Sequence, residues 1–201
     1  MLPSPSAPVP GQVTGPFRVL VVCTGNLHRS PLAERLLRAR LAGSPGAFEV
    51  SSAGTAGATG TPMDPVAASL LAELGGDPRG ALARRLTAAL VEDSDLVLGA
   101  AAEHREAAVR LSPVWALRRA FTLREFARLL RAEDAEGVTD PAGRAAALVE
   151  GAAARRGNKG RADDDDVADP HGAPLETARE VALRIAEPVE RISAAVLAAA
   201  R

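Results

Sequence analysis

Short apolar runs alternate with longer segments of helical periodicity over most of this 201-residue chain. Phe17–Val22 is apolar and rich in β-branched residues, which predicts a buried strand. Phe48–Ser52 and Asp95–Leu98 predict a second and a third strand by the same pattern. Because helical segments separate these runs, the chain is expected to form a parallel sheet flanked by helices.

The helical segments are bounded by residues that start or stop helices. Ser30 suits an N-cap and Pro31 suits the first helical position, so a helix is predicted to begin there, directly after the first strand. Pro188 lies within the last helical pattern and is expected to kink or break it. Further helices are predicted over these segments: Pro65 to Gly75, Ala81–Val91 (whose first residues could instead be extended), Ala101–Val109, Thr122–Ala132, Ala142–Arg155 and Leu175–Ala200.

The length is that of a single domain with extra segments. Residues 1–16 are rich in Pro, Ser and Gly and predict a disordered leader, while residues 17–201 are expected to form the domain. Between residues 133 and 167 the composition changes and becomes rich in Gly, Arg and Asp. A mobile insertion is therefore expected there. Its four-carboxylate run, Asp163 to Asp166, predicts a solvated loop.

Composition narrows the function classes. The formal net charge is -1, which predicts no general attraction to nucleic acid or to anionic membranes. No stretch has the length and apolarity of a membrane span. The one cysteine, Cys23, excludes an internal disulfide and a multi-thiolate zinc site, and it suits a reducing compartment. A cytoplasmic location is expected.

Candidate chemistry lies directly after the first predicted strand. There, Cys23 and Arg29 are separated by five residues, and a helix pattern follows. A loop between a strand and a helix N-terminus turns backbone N–H groups inward, which binds an anion and stabilises a thiolate. Arg29 can hold two phosphoryl oxygens at once. The predicted phosphate-binding residues are the loop itself: Thr24, Gly25, Asn26, Leu27, His28, Arg29 and Ser30.

The segment from Val22 to Glu34, VCTGNLHRSPLAE, resembles the signature of the low-molecular-weight protein tyrosine phosphatase family. Ser51–Thr55, Asp95–Leu98 and the pair Asp169-Pro170 resemble later elements of that family. The resemblance implies an α/β fold of three layers, α/β/α, with a central, mostly parallel four-stranded sheet. In that fold the phosphate-binding loop joins the first strand to the first helix.

The resemblance also implies a mechanism without metal or cofactor. Cys23 would attack phosphorus and form a cysteinyl-phosphate. Asp169 would protonate the leaving oxygen and then activate water. Arg29 would hold the phosphoryl oxygens, and Asn26 would brace the loop. The substrate would be a phosphorylated protein, with phosphotyrosine as the expected group, or a small phosphomonoester. Asp140, which also precedes a proline, is the alternative acid.

Several positions depart from the family pattern. His28 stands where many members have a second cysteine, and it is expected to pack behind the loop. Ala56, Gly57 and His171 stand where members that act on phosphotyrosine have aromatic walls. His104 lies among charged residues and predicts a surface position. Two other functions stay open: an arsenate reductase that uses an external thiol, and a phosphate-binding regulatory module without catalysis. The oligomeric state is not predicted.

Overall fold

The fold is a four-stranded parallel sheet with helices on both faces. A computed structural model of the protein describes residues 15–159, 162 and 164–198. The strands are β1 (Phe17–Cys23), β2 (Phe48–Gly54), β3 (Leu96–Gly99) and β4 (Ala120–Thr122). Their order across the sheet is β2-β1-β3-β4, and neighbouring strands are parallel. The predicted α/β fold with a four-stranded sheet is confirmed.

Alternate residues of the strands face two separate hydrophobic clusters. Val19 and Val21 of β1 face the larger cluster, which includes residues of α1, α6, α7 and α8. Leu20 and Val22 face the smaller cluster, which includes residues of α3 and α4. The helices are α1 (Arg29–Leu41), α2 (Pro65–Glu73), α3 (Ala88–Glu92), α4 (Ala102–Leu111), α5 (Pro113–Ala116), α6 (Leu123–Leu129), α7 (Pro141–Lys159) and α8 (Leu175–Leu197), with a 3-10 turn at Ala132–Ala135.

One predicted helix boundary is wrong, and at a second the structure has the extended alternative. The first helix begins at Arg29 with His28 as its N-cap residue, so Ser30 lies inside the helix and does not cap it. The helix predicted over Ala81–Val91 begins only at Ala88. Its first residues are extended instead and form bridges, such as that between Leu82 and Pro62.

The last helix runs unbroken through Pro188, which the sequence pattern predicted would kink or break it. The proline is buried and Val189 beside it belongs to the larger hydrophobic cluster. Tertiary packing along one face of this 23-residue helix therefore outweighs the hydrogen bond that proline cannot donate.

The segment 133–167, expected as a mobile insertion, is largely helical and packed. Helix α7 buries Leu148, Val149 and Ala152 in the larger cluster. At its start, Asp140 Oδ1 accepts a hydrogen bond from the Gly143 N–H at 2.6 Å and so caps the helix. Of the predicted leader, residues 1–16, the first 14 lie outside the described residues, and the mobility of segment 133–167 stays a prediction.

Candidate active site

The predicted phosphate-binding loop lies where β1 ends at the carboxyl edge of the sheet. Cys23 pairs with Gly54 of β2, and the backbone turns away over residues 24–28 before α1 begins. A Cβ atom on Gly54 would lie 2.6 Å from the Thr24 carbonyl oxygen, so this position admits only glycine. The N–H groups of Thr55 and Ala56 donate to the carbonyls of Cys23 and Thr24, each at 2.9 Å. The loop is thereby fixed to the end of β2.

Asn26 holds the loop in shape from within. It is buried and has a φ angle of 56°, in the left-handed region that asparagine tolerates better than most residues. Its Nδ2 atom donates to Ser30 Oγ and to Ser52 Oγ, each at 2.8 Å. Its Oδ1 atom accepts from the Arg84 N–H at 2.9 Å. All three bonds of the amide are therefore satisfied inside the protein, which agrees with the bracing role expected of Asn26.

The Cys23 sulfur lies buried at the base of the loop with two hydrogen-bonding neighbours. Ser30 Oγ is 3.0 Å from Sγ, and the Asn26 N–H donates to Sγ at 3.3 Å. Because Ser30 Oγ already accepts a hydrogen from Asn26, its own hydroxyl hydrogen is available to Sγ. Both neighbours can thus donate a hydrogen bond to the sulfur.

Arg29 lies almost fully buried in the first turn of α1, and its guanidinium spans the mouth of the loop. Nη1 donates to the Val167 carbonyl at 3.1 Å, and Nη2 donates to Asp169 Oδ2 at 2.6 Å. Nη2 also donates to Thr24 Oγ1 at 3.3 Å. The structure therefore brings together the three predicted catalytic side chains, although they are up to 146 residues apart in the sequence.

Residues 164–166 of the four-carboxylate run anchor the segment that carries Asp169. The run was predicted to be a solvated loop. Asp165 is 3% exposed and accepts from Arg128 at 2.7 Å. Asp166 Oδ1 accepts from the Ala102 N–H at 2.9 Å. Asp164 pairs with two arginines of α6 and α8, Arg124 and Arg184. Three successive carboxylates are thus engaged with three helices.

Next to this anchor, the Val167 N–H donates to the carbonyl of Ala100, just past the end of β3, at 2.8 Å. Val167 itself is 1% exposed, whereas Asp169, two residues later, is exposed beside the cleft. The segment thus changes from buried to exposed as it reaches Asp169, the predicted acid.

A cleft of about 700 Å³ opens above the loop. Its floor includes Cys23 and Arg29, and Asp169 and His171 lie on one wall. The rest of its lining is mainly small or aliphatic, with Leu27 and Val66 as the large apolar side chains. Asp140 is not among the residues that line the cleft. The described lining residues contain no Phe, Tyr or Trp, as the sequence indicated.

The two histidines near the loop are more buried than ordinary surface histidines. Burial lowers the pKa of His28, whose ring nitrogens are buried without a hydrogen-bond partner among the described residues. Burial, and next the charge of Arg29, lower the pKa of His104. His104 is 1% exposed, so its predicted surface position is wrong. Its partner Thr24 is 80 residues away, and no local pattern indicates such a contact.

Neither a metal cluster nor a spanning helix is found in the described part of the chain. Within residues 15–159, 162 and 164–198, no group of three or more His, Cys, Asp or Glu side chains is placed to hold a metal ion. No helix there is long and apolar enough to cross a membrane.

The parallel sheet with a Cys-x5-Arg loop at the end of its first strand defines a class of α/β proteins that bind phosphate at a cysteine. Within that class, residues 18–153 match the family model described as low molecular weight phosphotyrosine protein phosphatase. The chain belongs to this family.

Curated relatives agree with the family match. The chain is 42% identical over 95 residues to the low molecular weight protein-tyrosine-phosphatase Etp of Escherichia coli, covering 47% of this chain and 62% of the relative. It is 44% identical over 80 residues to the probable low molecular weight protein-tyrosine-phosphatase EpsP of Ralstonia solanacearum, covering 40% and 52%. These alignments therefore span less than two thirds of the relatives' own lengths.

Solved structures agree over more of the chain. The low molecular weight protein tyrosine phosphatase from T. tengcongensis superposes with a TM-score of 0.64 and 29% identity, covering 87% of this chain and 96% of that one. The YwlE arginine phosphatase from Geobacillus stearothermophilus gives a TM-score of 0.64 and 28% identity, covering 89% and 91%. The tyrosine phosphatase AmsI of Erwinia amylovora, at 23% identity, shares the fold with a TM-score of 0.65 and covers 92% and 93%.

Proposed function

We propose that this protein is a cysteine-dependent phosphatase that hydrolyses phosphomonoesters through a cysteinyl-phosphate intermediate. The observation that carries the proposal is the convergence of Cys23, Arg29 and Asp169 at one cleft, with Ser30 Oγ 3.0 Å from the sulfur. A nucleophile, a phosphate clamp and an acid are the three groups that the reaction needs.

In the first step the Cys23 thiolate attacks phosphorus, so that an S–P bond forms while the bond from phosphorus to the leaving oxygen breaks. Arg29 and the loop N–H groups hold the phosphoryl oxygens and stabilise their charge. Asp169 gives its proton to the leaving oxygen, which departs as a neutral alcohol or phenol.

In the second step water attacks the cysteinyl-phosphate. Asp169, now a carboxylate, takes a proton from this water, and the S–P bond breaks to release inorganic phosphate. The sulfur leaves as a thiolate, to which Ser30 and the Asn26 N–H can donate hydrogen bonds. Asp169 is proposed as the acid in preference to Asp140 because Asp169 lines the cleft and pairs with Arg29, whereas Asp140 caps α7.

The proposed substrate class is phosphotyrosine in proteins, in keeping with the names of the relatives. Leu27 and Val66 can contact a phenyl ring by dispersion, but no aromatic wall is available among the described lining residues for stacking. We therefore expect a high KM with a phosphotyrosine peptide. The kcat/KM for this peptide should still exceed that for a phosphoserine peptide of the same sequence, because the longer side chain reaches the buried sulfur. Equal values would contradict the substrate proposal.

The proposed location is the cytoplasm, where the catalytic thiol stays reduced. No nucleic acid or membrane is proposed as a partner.

The test of the phosphatase proposal is hydrolysis of para-nitrophenyl phosphate, in EDTA, by the wild type and by Cys23→Ser. We expect turnover by the wild type and its loss in the variant, since a serine hydroxyl is a much weaker nucleophile than a cysteine thiolate. Wild-type protein that binds phosphate without turnover would contradict the proposal and favour a phosphate-binding module. Arsenite formation from arsenate and a cellular thiol, without phosphatase activity, would favour the reductase.

A further inference from the structure

His104 connects the first turn of α4 to the phosphate-binding loop. Its ring is 1% exposed, although Glu103, Arg105 and Glu106 surround it in the sequence. Both ring nitrogens have partners: Nδ1 accepts from the Ala101 N–H at 3.0 Å, and Nε2 lies 3.0 Å from Thr24 Oγ1. A buried histidine with both nitrogens engaged is fixed in position and in protonation state.

The partner of Nδ1 decides which nitrogen carries the hydrogen. A backbone N–H can only donate, so Nδ1 must be the unprotonated nitrogen of a neutral ring. The hydrogen is therefore on Nε2, and Nε2–H donates to Thr24 Oγ1. Glu103 Oε1 lies farther from Nε2, at 3.4 Å, and this side chain is mostly exposed. Thr24 is thus the main acceptor.

Thr24 Oγ1 links this histidine to the phosphate clamp. It accepts from His104 Nε2 and also from Arg29 Nη2, at 3.3 Å. With both lone pairs occupied, the hydroxyl hydrogen of Thr24 is left for donation, and Thr24 lines the cleft. One hydroxyl can thus orient Arg29 and donate a hydrogen bond to a phosphoryl oxygen.

We propose that His104 is a positioning residue for phosphate binding and transfer, because its Nε2–H holds the Thr24 hydroxyl in the orientation that fixes Arg29. This inference rests on the proposed phosphatase function and assigns a role to a residue outside the Cys-x5-Arg loop. His104 does not touch the substrate and acts only through Thr24.

If His104 only capped α4, its side chain would need a hydrogen-bond acceptor but no donor. At the third position of the helix, a side-chain acceptor is enough to satisfy the Ala101 N–H, and glutamine serves this purpose in many helices. The donor on Nε2 is not needed for the cap. It reaches a different element, so a capping role and a positioning role can be separated by substitution.

Two substitutions separate the roles. His104→Asn places an acceptor near that of Nδ1, which can keep the cap, but its side chain is too short to reach Thr24. His104→Gln carries a longer amide that can accept from Ala101 and donate to Thr24. Glu103→Gln is the matched control, because it alters the other neighbour of Nε2 without removing the bond to Thr24.

The experiment measures kcat for para-nitrophenyl phosphate and the Kd of inorganic phosphate by calorimetry. We expect His104→Asn to lower kcat about tenfold to a hundredfold, as misplaced reacting groups do, and to weaken phosphate binding. His104→Gln should recover most of both values, and Glu103→Gln should match the wild type. In a Thr24→Val background, His104→Asn should have no further effect, because the bond is already absent.

Losses from His104→Asn and Thr24→Val that multiply would overturn the inference, as would equal activity of the Asn variant and the wild type. If His104→Asn does not fold, Thr24→Val removes the same bond from the other side and must reproduce the loss. Wild-type protein that binds phosphate without turnover contradicts the phosphatase proposal, while the Kd series still tests His104. If the wild type is active but the losses from His104→Asn and Thr24→Val multiply, only the role of His104 is contradicted, and the phosphatase proposal is not.

Discussion

At the scale of single residues, the site depends on one side chain in an uncommon backbone conformation. Asn26 combines a φ angle of 56° with three side-chain hydrogen bonds to Ser30, Ser52 and Arg84. Glu34 extends this network, since it accepts from Ser52 Oγ at 2.6 Å. The serine beside the nucleophile is therefore oriented by a chain of buried bonds that ends at a carboxylate on α1.

Substitutions of Asn26 should separate its backbone role from its side-chain role. Asn26→Gly keeps the left-handed backbone but loses the three bonds, whereas Asn26→Ala loses the bonds and also strains the backbone. We expect the alanine variant to be less stable than the glycine variant by about 1 kcal/mol. Both should have a lower kcat than the wild type. Urea denaturation measures the difference, and equal stabilities would contradict the assigned backbone role.

The pH dependence of stability should report the buried histidines. The folded protein lowers the pKa of His104 from 6.5, chiefly through burial, so the unfolded chain binds the proton more readily. The stability that the neutral ring contributes is complete above about pH 6.5 and is lost as the pH falls toward the folded-state value. Unfolding by urea from neutral to mildly acidic pH should therefore show a decline that is shallower in His104→Gln. The control, His171→Gln, alters an exposed ring and should keep the wild-type slope. Equal slopes in all three proteins would contradict this account.

The candidate site residues could be predicted where they lie close together in the sequence. The spacing of Cys23 and Arg29 and the strand before them indicated the loop, and a loop brings its own residues together. His104 was not predictable, because its charged sequence neighbours are those of a surface residue. Its burial accompanies a contact with Thr24, which directly follows the neighbouring strand β1, and sequence periodicity does not record such a contact.

At the scale of elements, the segment before Asp169 forms neither helix nor strand, yet several elements hold it in place. Asp165 and Asp166 attach it to α6 and to the start of α4, and Val167 attaches it to the end of β3. Each attachment lies within four residues of the proposed acid. The carboxylate run thus restricts where Asp169 can lie relative to Arg29.

Removing the buried member of the run should affect both stability and catalysis. Burial opposes ionisation of Asp165, but bonds from Arg128 and from the Ala162 N–H outweigh it and keep the pKa of this carboxyl lowered. Asp165→Asn should cost about 1–3 kcal/mol, because a charged hydrogen bond is lost in a buried place. It should also lower kcat, since Asp169 becomes less well placed.

The control for this prediction is Asp164→Asn, which alters the exposed neighbour in the same run. Exposed ion pairs contribute at most about 1 kcal/mol, so we expect a small change in stability and a kcat near that of the wild type. Thermal unfolding and steady-state kinetics measure both variants. A larger loss in Asp164→Asn than in Asp165→Asn would contradict the anchoring role.

Elements with strong periodicity were predictable, and short ones were not. Strand β4, Ala120–Thr122, has only three residues and merges with the helical pattern that follows, so the sequence pattern did not locate it. Ala81 to Leu86 has helical spacing but is extended, because its backbone bonds to Gly54 at the end of β2 and to Thr61 in the loop that follows. In both cases the partner strand or loop decides the conformation.

At the scale of the whole molecule, buried arginine side chains connect the outer helices to the core. Arg144 of α7 is 5% exposed and donates to four carbonyl oxygens. Two belong to Ala135 and Val138 before α7, and two belong to Ala195 and Val196 at the end of α8. The guanidinium therefore takes the place of hydrogen bonds that a helix end leaves unmade.

Arg144→Met should test this connection, since methionine retains much of the apolar stem but none of the donors. We expect the free energy of unfolding to fall by about 2–4 kcal/mol, because buried carbonyls lose their partners. Arg118→Met, which alters an exposed arginine, is the control and should change stability little. Chemical denaturation of both variants gives the comparison, and equal stabilities would contradict the connecting role of Arg144.

The layered architecture was predictable because alternating strands and helices admit few arrangements. The packing of α7 was less evident, since Gly143 and Gly151 weaken its helical pattern and the segment 133–167 around it was expected as a mobile insertion. The larger hydrophobic cluster explains the difference: Ala145, Leu148 and Ala152 lie on one face of α7 and bury that face against the core.

The most direct test of the account is to trap the intermediate on Cys23. Rapid acid quenching of the enzyme during turnover of para-nitrophenyl phosphate, followed by peptide mass spectrometry, should find one phosphoryl group on the peptide that contains Cys23. The Asp169→Ala variant should release para-nitrophenol more slowly, and Cys23→Ser should give no phosphorylated thiol. Rapid turnover with no phosphate on Cys23 at any quench time, and undiminished activity in Cys23→Ser, would contradict the proposed function.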